Sequence, residues 1–445
     1  MSDTAGTGSW TSATNIYVST ATNGSVAVGQ FLSIYSGAAT VAAYTARITA
    51  VSGGGGSAWT ITLSATAFSG SVPTTGATFK AQCGGAWLGP NAASGFPFNY
   101  ITKALTNAAG DIPRVNFKNN ATYSITAAIT NSLVGPVVFQ GYTTTAGDGG
   151  KAIIDGGTSG ASYTLLTINN NNQTNRDLIF QNNGATGSAS GVVTNNQGFL
   201  ERVIFNSIRG DGVNLVSSGT IIIECEAFAC NQSNTASKAG FNSFGGTFDR
   251  CISHDNTGSN SSGFLFSSTS MVSNCIADTN GSHGFNTAVN IAAFFNCTSY
   301  GNSGSGIFTS VVAASYILVE NCTIANNTLY GINSSSTGFA RISNCGFYSN
   351  TSGQTNGTID ATGTITYAAA PMTDPANGDF SLVAGSGGNA AGRGSFTQTA
   401  SQYSKTSTSL PDVGAVQGTS IQSGGTNPVG GVFFAPGGVR RSGSY

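Results

Sequence analysis

A short sequence phrase returns at nearly constant intervals through the second half of the chain. It begins with an apolar residue, reaches a Cys three positions later and an Asn five positions after that Cys. The full phrase occurs around the following cysteines: Cys251, Cys275, Cys297, Cys322 and Cys345. The same frame extends back to Cys225, Val203 and Leu178, in steps of 22 to 26 residues. A near-constant period of this length is typical of stacked supersecondary units, so it constrains the fold more than any other feature.

A second repeat, Gly followed by an apolar residue, runs beside the first. Its members are Gly191, Gly212, Gly240, Gly263, Gly284, Gly306 and Gly331. Helical repeats have longer periods and need Ala, Leu, Glu and Lys, whereas these units hold short apolar runs separated by Asn, Gly, Ser and Thr. That pattern indicates short strands joined by turns. We therefore predict an all-β fold, a single-stranded right-handed parallel β-helix of about eleven rungs.

Coils of near-constant length place equivalent residues on top of one another, about 4.8 Å apart. We expect the Cys residues to form an inward ladder of reduced thiols, because parallel side chains do not meet the dihedral requirement of a disulfide. The Asn amides are expected to bond to the Asn above and below. Phe139, Phe180 and Phe205 are expected to form a short aromatic stack, and Gly to supply the positive φ of tight corners.

The segments on either side of the repeat resemble those of the pectate-lyase-like family of right-handed β-helix proteins. The matching segments are residues 97–105 and 120–123 before the repeat, and residues 377–382 and 411–417 after it. The resemblance covers roughly residues 84 to 417 and is specific for fold rather than activity. It implies that an enzyme of this type would use clustered carboxylates, with Ca²⁺ and a basic residue in lyases, or closely spaced Asp and His in hydrolases.

Five segments are predicted from these features. Residues 1–82 form a small N-terminal β domain that could serve as an anchor, and residues 371–420 form a C-terminal coil and cap. Residues 83–111 are a linker with a short amphipathic cap helix, whose apolar face comprises Ile101, Ala104, Leu105 and Ala108. The remaining two segments are the β-helix itself, residues 112–370, and a Gly/Ser/Pro-rich tail, residues 421–445.

Charge is unusually scarce in this sequence: 7% of the residues are charged and the formal net charge is −1. A surface of Ser, Thr and Asn accounts for this, and it argues against nucleic acid as a partner. No apolar run is long enough for membrane insertion, and the first six residues lack the pattern of a secretory signal. No cofactor or metal is predicted, because Cys ligands in line along a ladder cannot surround zinc tetrahedrally.

The best candidate constellation for chemistry comprises His254, Asp255, Asp278 and His283. His254 and Asp278 each lie three residues after a ladder Cys, so they are expected at equivalent positions of adjacent rungs. Three interpretations stay open: a polar patch with a structural role, general acid–base catalysis, and contact with a partner. Two further pairs are expected to be surface ion pairs of small effect: Arg209 with Asp211, and Asp249 with Arg250.

The leading functional hypothesis is a structural protein of a bacteriophage particle, either a capsid decoration protein or a spike or fibre subunit. Its expected partners are other virion proteins and copies of itself, with a trimer as one arrangement. The expected location is the virion after assembly in the host cytoplasm, with an extracellular or cell-surface location as the other option. Two alternatives remain: a polysaccharide lyase or hydrolase, as in tailspike depolymerases, and a non-catalytic adhesin that binds a cell-surface glycan.

Overall fold

The structure is a computed structural model, and parts of the chain are described. These are residues 6–10, 15–18, 31–35, 42–53, 59–63, 69–70, 78–84, 114–119, 122–131, 137–144, 147–169, 172–288, 291–309, 316–334, 339–383, 385–386 and 415. Across these ranges the fold is all-β, with one 3₁₀ turn and no α-helix. None of their helical segments could cross a membrane. The predicted cap helix at residues 101–108 lies outside the described residues.

The described strands between residues 6 and 84 form an antiparallel sheet of seven strands. The strands are β1 (Gly6–Trp10), β2 (Asn15–Val18), β3 (Phe31–Tyr35), β4 (Ala42–Gly53), β5 (Trp59–Leu63), β6 (Ser69–Gly70) and β7 (Thr78–Gly84). Their order is β3-β7-β1-β2-β5-β4-β6, and β3 also pairs with β4. Six strands therefore close on themselves, which leaves few unpaired edges.

The strands of the repeat follow one another in short steps. The first are β8 (Arg114–Lys118), β9 (Thr122–Ser124), β10 (Ile129–Asn131), β11 (Val137–Tyr142), β12 (Ala152–Asp155), β13 (Leu166–Ile168), β14 (Gln173–Arg176), β15 (Leu178–Gln181), β16 (Val192–Thr194), β17 (Gly198–Glu201), β18 (Ile204–Asn206) and β19 (Val213–Leu215). The next are β20 (Thr220–Ile223), β21 (Glu226–Phe228), β22 (Lys238–Ser243), β23 (Gly246–Asp249), β24 (Ile252–His254), β25 (Ser261–Phe266), β26 (Ser270–Ser273), β27 (Ile276–Asp278), β28 (Phe285–Thr287), β29 (Ile291–Phe295) and β30 (Thr298–Tyr300). The last are β31 (Ile307–Thr309), β32 (Tyr316–Glu320), β33 (Thr323–Ala325), β34 (Tyr330–Ser334), β35 (Phe339–Ser343), β36 (Gly346–Tyr348), β37 (Gly353–Asn356), β38 (Thr358–Thr362) and β39 (Ile365–Thr366).

Every third strand belongs to the same parallel sheet, as a β-helix requires. Sheet I contains β8, β11 and so on to β38, sheet II contains β9 to β39, and sheet III contains β10 to β37. Sheets I and II have eleven described strands each and sheet III has ten. The fold is a right-handed solenoid of about nine turns rather than about eleven.

The chain divides into two compact units. One comprises residues 1–158, 163–181 and 197–203, and the other comprises residues 159–162, 182–196 and 204–445. The first contains the antiparallel sheet and the early coils. The second contains the regular repeat, and all of the candidate residues lie in it.

The Cys ladder of the second unit is confirmed as a column of buried, free thiols. Their S–H groups donate to backbone carbonyl oxygens, as in the 3.5 Å contact from Cys251 to Ile222 and the 3.6 Å contact from Cys345 to Val319. Burial raises the pKa of Cys345, so this thiol stays protonated at neutral pH. The residue before each ladder Cys from position 225 onward has a φ between 51° and 56°. Asn adopts this left-handed conformation more readily than most residues, which explains the recurrent Asn-Cys pair.

The Asn ladder is also confirmed. The side-chain amide of each Asn donates to the side-chain oxygen of the next, from Asn256 to Asn280 at 2.7 Å, then to Asn302 and Asn327 at 2.9 Å each. Cys230 takes the equivalent place below Asn256, whose side-chain oxygen accepts from the Cys230 N–H at 2.7 Å.

The prediction that Phe139 stacks with Phe180 and Phe205 is wrong. Phe139 lies in β11 of sheet I, and the residue that pairs with Phe180 is Ile154. The coil after β11 spans 36 residues, as the 36-position separation of Gln140 and Arg176 shows, so counting at a near-constant period fails there. The most regular stack lies instead inside sheet III, where Phe264 is 4.9 Å from both Phe241 and Phe285.

The glycines of the second repeat, which we call the Gly ladder, are required for a steric reason. The prediction that they adopt a positive φ is wrong. None of its seven members appears among the residues with positive φ. A Cβ at Gly284 would lie 2.7 Å from the carbonyl oxygen of Gly306, and one at Gly306 would lie 2.7 Å from that of Gly331. Adjacent coils approach too closely here for any side chain.

A small hairpin after the last coil lies on the outer face of sheet II. It comprises β40 (Met372–Asp374), a 3₁₀ turn (Pro375–Asn377) and β41 (Asp379–Leu382). Met372 and Phe380 pack with Ala415 against Ile276 and Ala325. The chain's own C-terminal segment therefore covers this part of sheet II.

Candidate functional site

His254 ends β24 and faces away from the solenoid interior. Its neighbour Ser253 points inward, where its hydroxyl donates to the Gly263 carbonyl oxygen at 2.8 Å, and strand side chains alternate. His254 pairs in register with Phe228 on one side and Asp278 on the other. The prediction that His254 and Asp278 occupy equivalent positions is confirmed.

Two carboxylates hold the imidazole of His254 from both ends. Its Nδ1 lies 2.8 Å from Oδ2 of Asp255, and its Nε2 lies 2.9 Å from Oε1 of Glu226. The ring also stacks on Phe228, with centroids 5.2 Å apart and planes 8° from parallel. The His254 side chain is only 4% exposed, so these contacts form its environment.

The electrostatics of this His254 cluster, which comprises Glu226, His254 and Asp255, favour a charged imidazole. Burial by itself would lower the pKa of His254, but the hydrogen bonds and charges of Asp255 and Glu226 outweigh it and raise the pKa to about 9. The ring therefore donates both protons to carboxylates at neutral pH. An imidazolium in that state cannot accept a proton, so this geometry does not suit a general base.

His283 does not belong to this cluster. It lies in the turn before β28, where its ring stacks on Phe308 with a centroid distance of 4.1 Å. Its Nδ1 accepts a hydrogen bond from the Ser305 N–H at 2.9 Å. Burial lowers the pKa of His283 to about 4, so the ring is neutral at neutral pH. The structure thus separates the two histidines that the sequence grouped.

Asp278 is buried beside the cluster, with 1% of its surface exposed. One of its carboxylate oxygens accepts a hydrogen bond from the Thr279 hydroxyl at 2.7 Å. The closest partners of His254 are therefore Asp255 and Glu226. Sequence reasoning missed Glu226 because it compared only equivalent positions, whereas this carboxylate reaches His254 diagonally from the preceding coil. The available signal was that Glu226 and Phe228 share one face of β21.

The two histidines make a direct spectroscopic prediction, since the chain contains only these two. In a titration of histidine-labelled protein followed by NMR, we expect one ring to titrate near pH 9 and the other near pH 4. His254→Gln should remove the alkaline transition and leave the acidic one. Two transitions near the ordinary value of about 6.5 would contradict the cluster geometry.

The same shift predicts how stability depends on pH. The pKa of His254 is higher in the folded protein than in the unfolded chain, so the charged ring stabilises the fold. This stabilisation is complete below about pH 6.5 and is lost as the pH rises through about 9. It amounts to about 3 kcal/mol at the usual 1.4 kcal/mol per pKa unit. Thermal melts between pH 6 and 10 should show this loss, and His254→Gln should flatten it.

The two pairs expected at the surface have different outcomes. Arg250 and Asp249 form the expected ion pair, at 2.7 Å. Asp211 is instead fully buried, and its partner is Lys238 at 2.9 Å rather than Arg209. The Asp211 carboxylate also accepts hydrogen bonds from the Ala239 N–H and the Ser190 hydroxyl. Burial raises the pKa of Asp211 although Lys238 opposes the shift.

Comparison with known proteins bears on the fold. Residues 190–347 match the family model described as the right handed beta helix region. The chain is similar to the crystal structure of pectate lyase Pel9A, with a TM-score of 0.54 and 18% identity over 68% of this chain and 87% of that one. Both comparisons support a right-handed β-helix fold in this chain.

Other similarities to this β-helix domain are weaker. The catalytic unit of a thermostable GH87 alpha-1,3-glucanase from Streptomyces thermodiastaticus strain HF3-3 gives a TM-score of 0.33 and 11% identity, over 79% of this chain and 88% of that one. A search of curated protein sequences finds no match. Within the described ranges, no group of three or more His, Cys, Asp or Glu side chains could hold a metal ion.

Proposed function

We propose that this chain is a structural protein of a bacteriophage particle, either a capsid decoration protein or a spike or fibre subunit. The observation that carries the proposal is the regular interior of the solenoid, beside which the His254 cluster has a structural part. The best candidate for acid–base chemistry is a charged imidazole held by two carboxylates of its own chain. Such a cluster stabilises the outer face of sheet II and leaves the ring no proton to accept at neutral pH.

The interior of the solenoid supports a mechanical role. Buried columns of Cys, Asn and Phe repeat the same contacts in coil after coil, so each coil is locked to its neighbours. The eight strands of sheet II in the second unit form a stack about 34 Å long at the usual strand spacing. This construction suits a stiff spacer, whose length depends on the number of coils.

The N-terminal sheet, β1–β7, is the proposed attachment to other virion proteins. It is antiparallel and separate in topology from the parallel coils. Immunogold labelling of purified particles should place the full chain on the virion surface, and mass spectrometry should detect it in gradient-purified particles. A chain that lacks residues 1–82 should be absent from the particles. Particles without the full chain would count decisively against the proposal.

A polysaccharide lyase or hydrolase is the second candidate, and the similarity in fold to pectate lyase Pel9A is the observation in its favour. Incubation with a panel of acidic and neutral glycans tests it. Release of products that disappears in Asp255→Asn or Asp278→Asn would establish this alternative. Binding of a glycan without products would favour an adhesin, for which the exposed pair Tyr316 and Phe339 offers aromatic contact.

A further inference from the structure

The thiols of the Cys ladder form two groups of three, which we call the first and the second triad. The first triad is Cys225, Cys251 and Cys275, and the second is Cys297, Cys322 and Cys345. In each triad the central thiol, that of Cys251 or Cys322, shares hydrogen bonds with the thiols on both sides. Cys275 hydrogen-bonds to Cys251 and interacts electrostatically with Cys297. The sulfur atoms of a triad therefore lie in a row, each in contact with the next.

Backbone N–H groups also point at the sulfur atoms. The Cys251 N–H donates to Sγ of Cys275 at 3.4 Å, and the Cys297 N–H donates to Sγ of Cys322 at 3.3 Å. The same contact recurs from the backbone of Cys322 to the sulfur of Cys345. Hydrogen bonds to sulfur are one of the means by which proteins tune metal–thiolate centres. Both triads thus contain donors that can stabilise negative charge on sulfur.

The spacing of the ladder decides which metal ion could bind. Thiolates select Cu(I), zinc and iron–sulfur clusters among the metals of proteins. Structural zinc and the clusters need four ligands around them, which a straight row cannot provide, whereas Cu(I) accepts two ligands in line. Two metal–sulfur bonds of about 2.3 Å span about 4.6 Å. Equivalent positions of adjacent coils lie about 4.8 Å apart, so such an ion fits between two sulfurs without a cavity.

We propose that the Cys ladder binds Cu(I), with one ion in each triad, in line between the central sulfur and one of its neighbours. Each ion replaces two S–H protons by two S–Cu bonds, and both protons leave to solvent. Copper enters and stays in the +1 state, so no electron is transferred. The resulting bis-thiolate has one negative charge, which the backbone N–H donors and the third S–H of the triad stabilise by hydrogen bonds.

The burial of the ladder makes the proposed site closed. Every ladder Cys is at most 1% exposed, so the ion must enter through local opening of the coils. Uptake should therefore be slow, and it should become weaker as the pH falls because protons compete for the same sulfurs. Once bound, each ion cross-links two coils. The inference is independent of the virion role, because it rests on the interior of the solenoid.

Anaerobic incubation of the full chain with Cu(I), followed by native mass spectrometry, tests the proposal. A Cu(I) chelator is present throughout, to remove ions that a single thiol holds. We expect two Cu(I) ions per folded chain, and X-ray absorption should show two sulfur neighbours for each copper. The melting temperature should rise, because the ion binds the folded chain. Zinc ions under the same conditions should not bind to the ladder.

Two double variants that each remove two ladder thiols provide the matched comparison. Cys251→Ala with Cys322→Ala removes both central thiols, so it should abolish copper binding. Cys275→Ala with Cys297→Ala removes one outer thiol from each triad and leaves one adjacent pair in each, so it should still bind two ions. Cys230→Ala removes a buried thiol outside the ladder and should also keep both ions.

Three results would overturn the proposal. They are equal copper content in the two double variants, no copper uptake by the wild type after long incubation, and uptake that lowers the melting temperature, since that would mean binding to the unfolded chain. Circular dichroism of each variant without copper checks its folding. The copper content and X-ray absorption of the wild type test the site without any substitution. None of these results bears on particle labelling, which tests the virion role separately.

Discussion

Replacement of Phe264 by Ala should lower the free energy of unfolding by about 3–5 kcal/mol, the usual cost of removing a fully buried aromatic ring. Phe264 is 0% exposed and stacks between Phe241 and Phe285. Phe248 contacts this ring edge-on at 6.0 Å, and the nearly parallel ring of Phe266 lies 6.1 Å away. The stacked coils above and below hold the backbone in place, so it cannot move to fill the cavity that the missing ring leaves.

Denaturant unfolding followed by circular dichroism measures this effect as a change in midpoint at constant slope. The matched control is Phe244→Ala, because Phe244 is 54% exposed and its loss should cost less than about 1 kcal/mol. Similar midpoints for the two variants would mean that the Phe264 ring is not packed as described. A changed slope would indicate that the coils unfold separately rather than together.

Asn302→Ala is the second large effect, with an expected loss of about 2–6 kcal/mol. The Asn302 side-chain oxygen accepts from both the N–H and the amide of Asn280, at 3.0 and 2.9 Å. Its amide donates to the Ala277 carbonyl oxygen at 3.1 Å and to Asn327 at 2.9 Å. Ala leaves the Asn280 N–H and the Ala277 carbonyl without these partners in the interior, and each such group costs about 1–3 kcal/mol.

Hydrogen exchange gives this prediction a local readout. The amide of Asn280 should lose much of its protection in Asn302→Ala, because its acceptor is gone. The control is Asn286→Ala on the outer face of sheet III, where the side chain makes a weaker 3.4 Å contact to Ser262. Unchanged protection at Asn280 would show that water replaces the missing side chain, and the predicted loss of stability would then be too large.

The outer faces explain why a similar fold need not imply a similar activity. The coils dictate which side chains point inward, and these are the repeated Cys, Asn, Gly and Phe positions. Outward positions are free of that constraint, so each face can acquire its own surface. The outer face of sheet II, for example, is partly covered by the hairpin of Met372 and Phe380, whereas the outward ladder of sheet III includes Asn214, Asn242, Asn286, Asn333 and Asn356.

The sequence predicted the interior well where the repeat is regular. The spacing of 22 to 26 residues was enough to place Cys251 above Cys275 and Asn280 above Asn302. It failed at Phe139, where one coil is 36 residues long and a count at near-constant period loses its register. The reason for the Gly ladder was also missed, because close approach of coils is a property of the assembled stack.

The candidate site was predicted in part. Equivalent positions for His254 and Asp278 follow from the period alone, and pairing in β24 and β27 confirms them. The grouping of His283 with His254 and Asp278 is wrong, because His283 lies in the turn that follows β27 and contacts Phe308 instead. Glu226 was missed because the contact to His254 is diagonal, and a period relates only residues that lie directly above one another.

The amino-acid sequence by itself determined that the chain coils and which residues stack inside it, because backbone hydrogen bonding at constant spacing forces like residues onto one another. Only the tertiary structure decided the charge of His254, the burial of Asp211 and the covering of sheet II. Those properties depend on contacts between positions that no common period relates, and on the desolvation that such contacts produce.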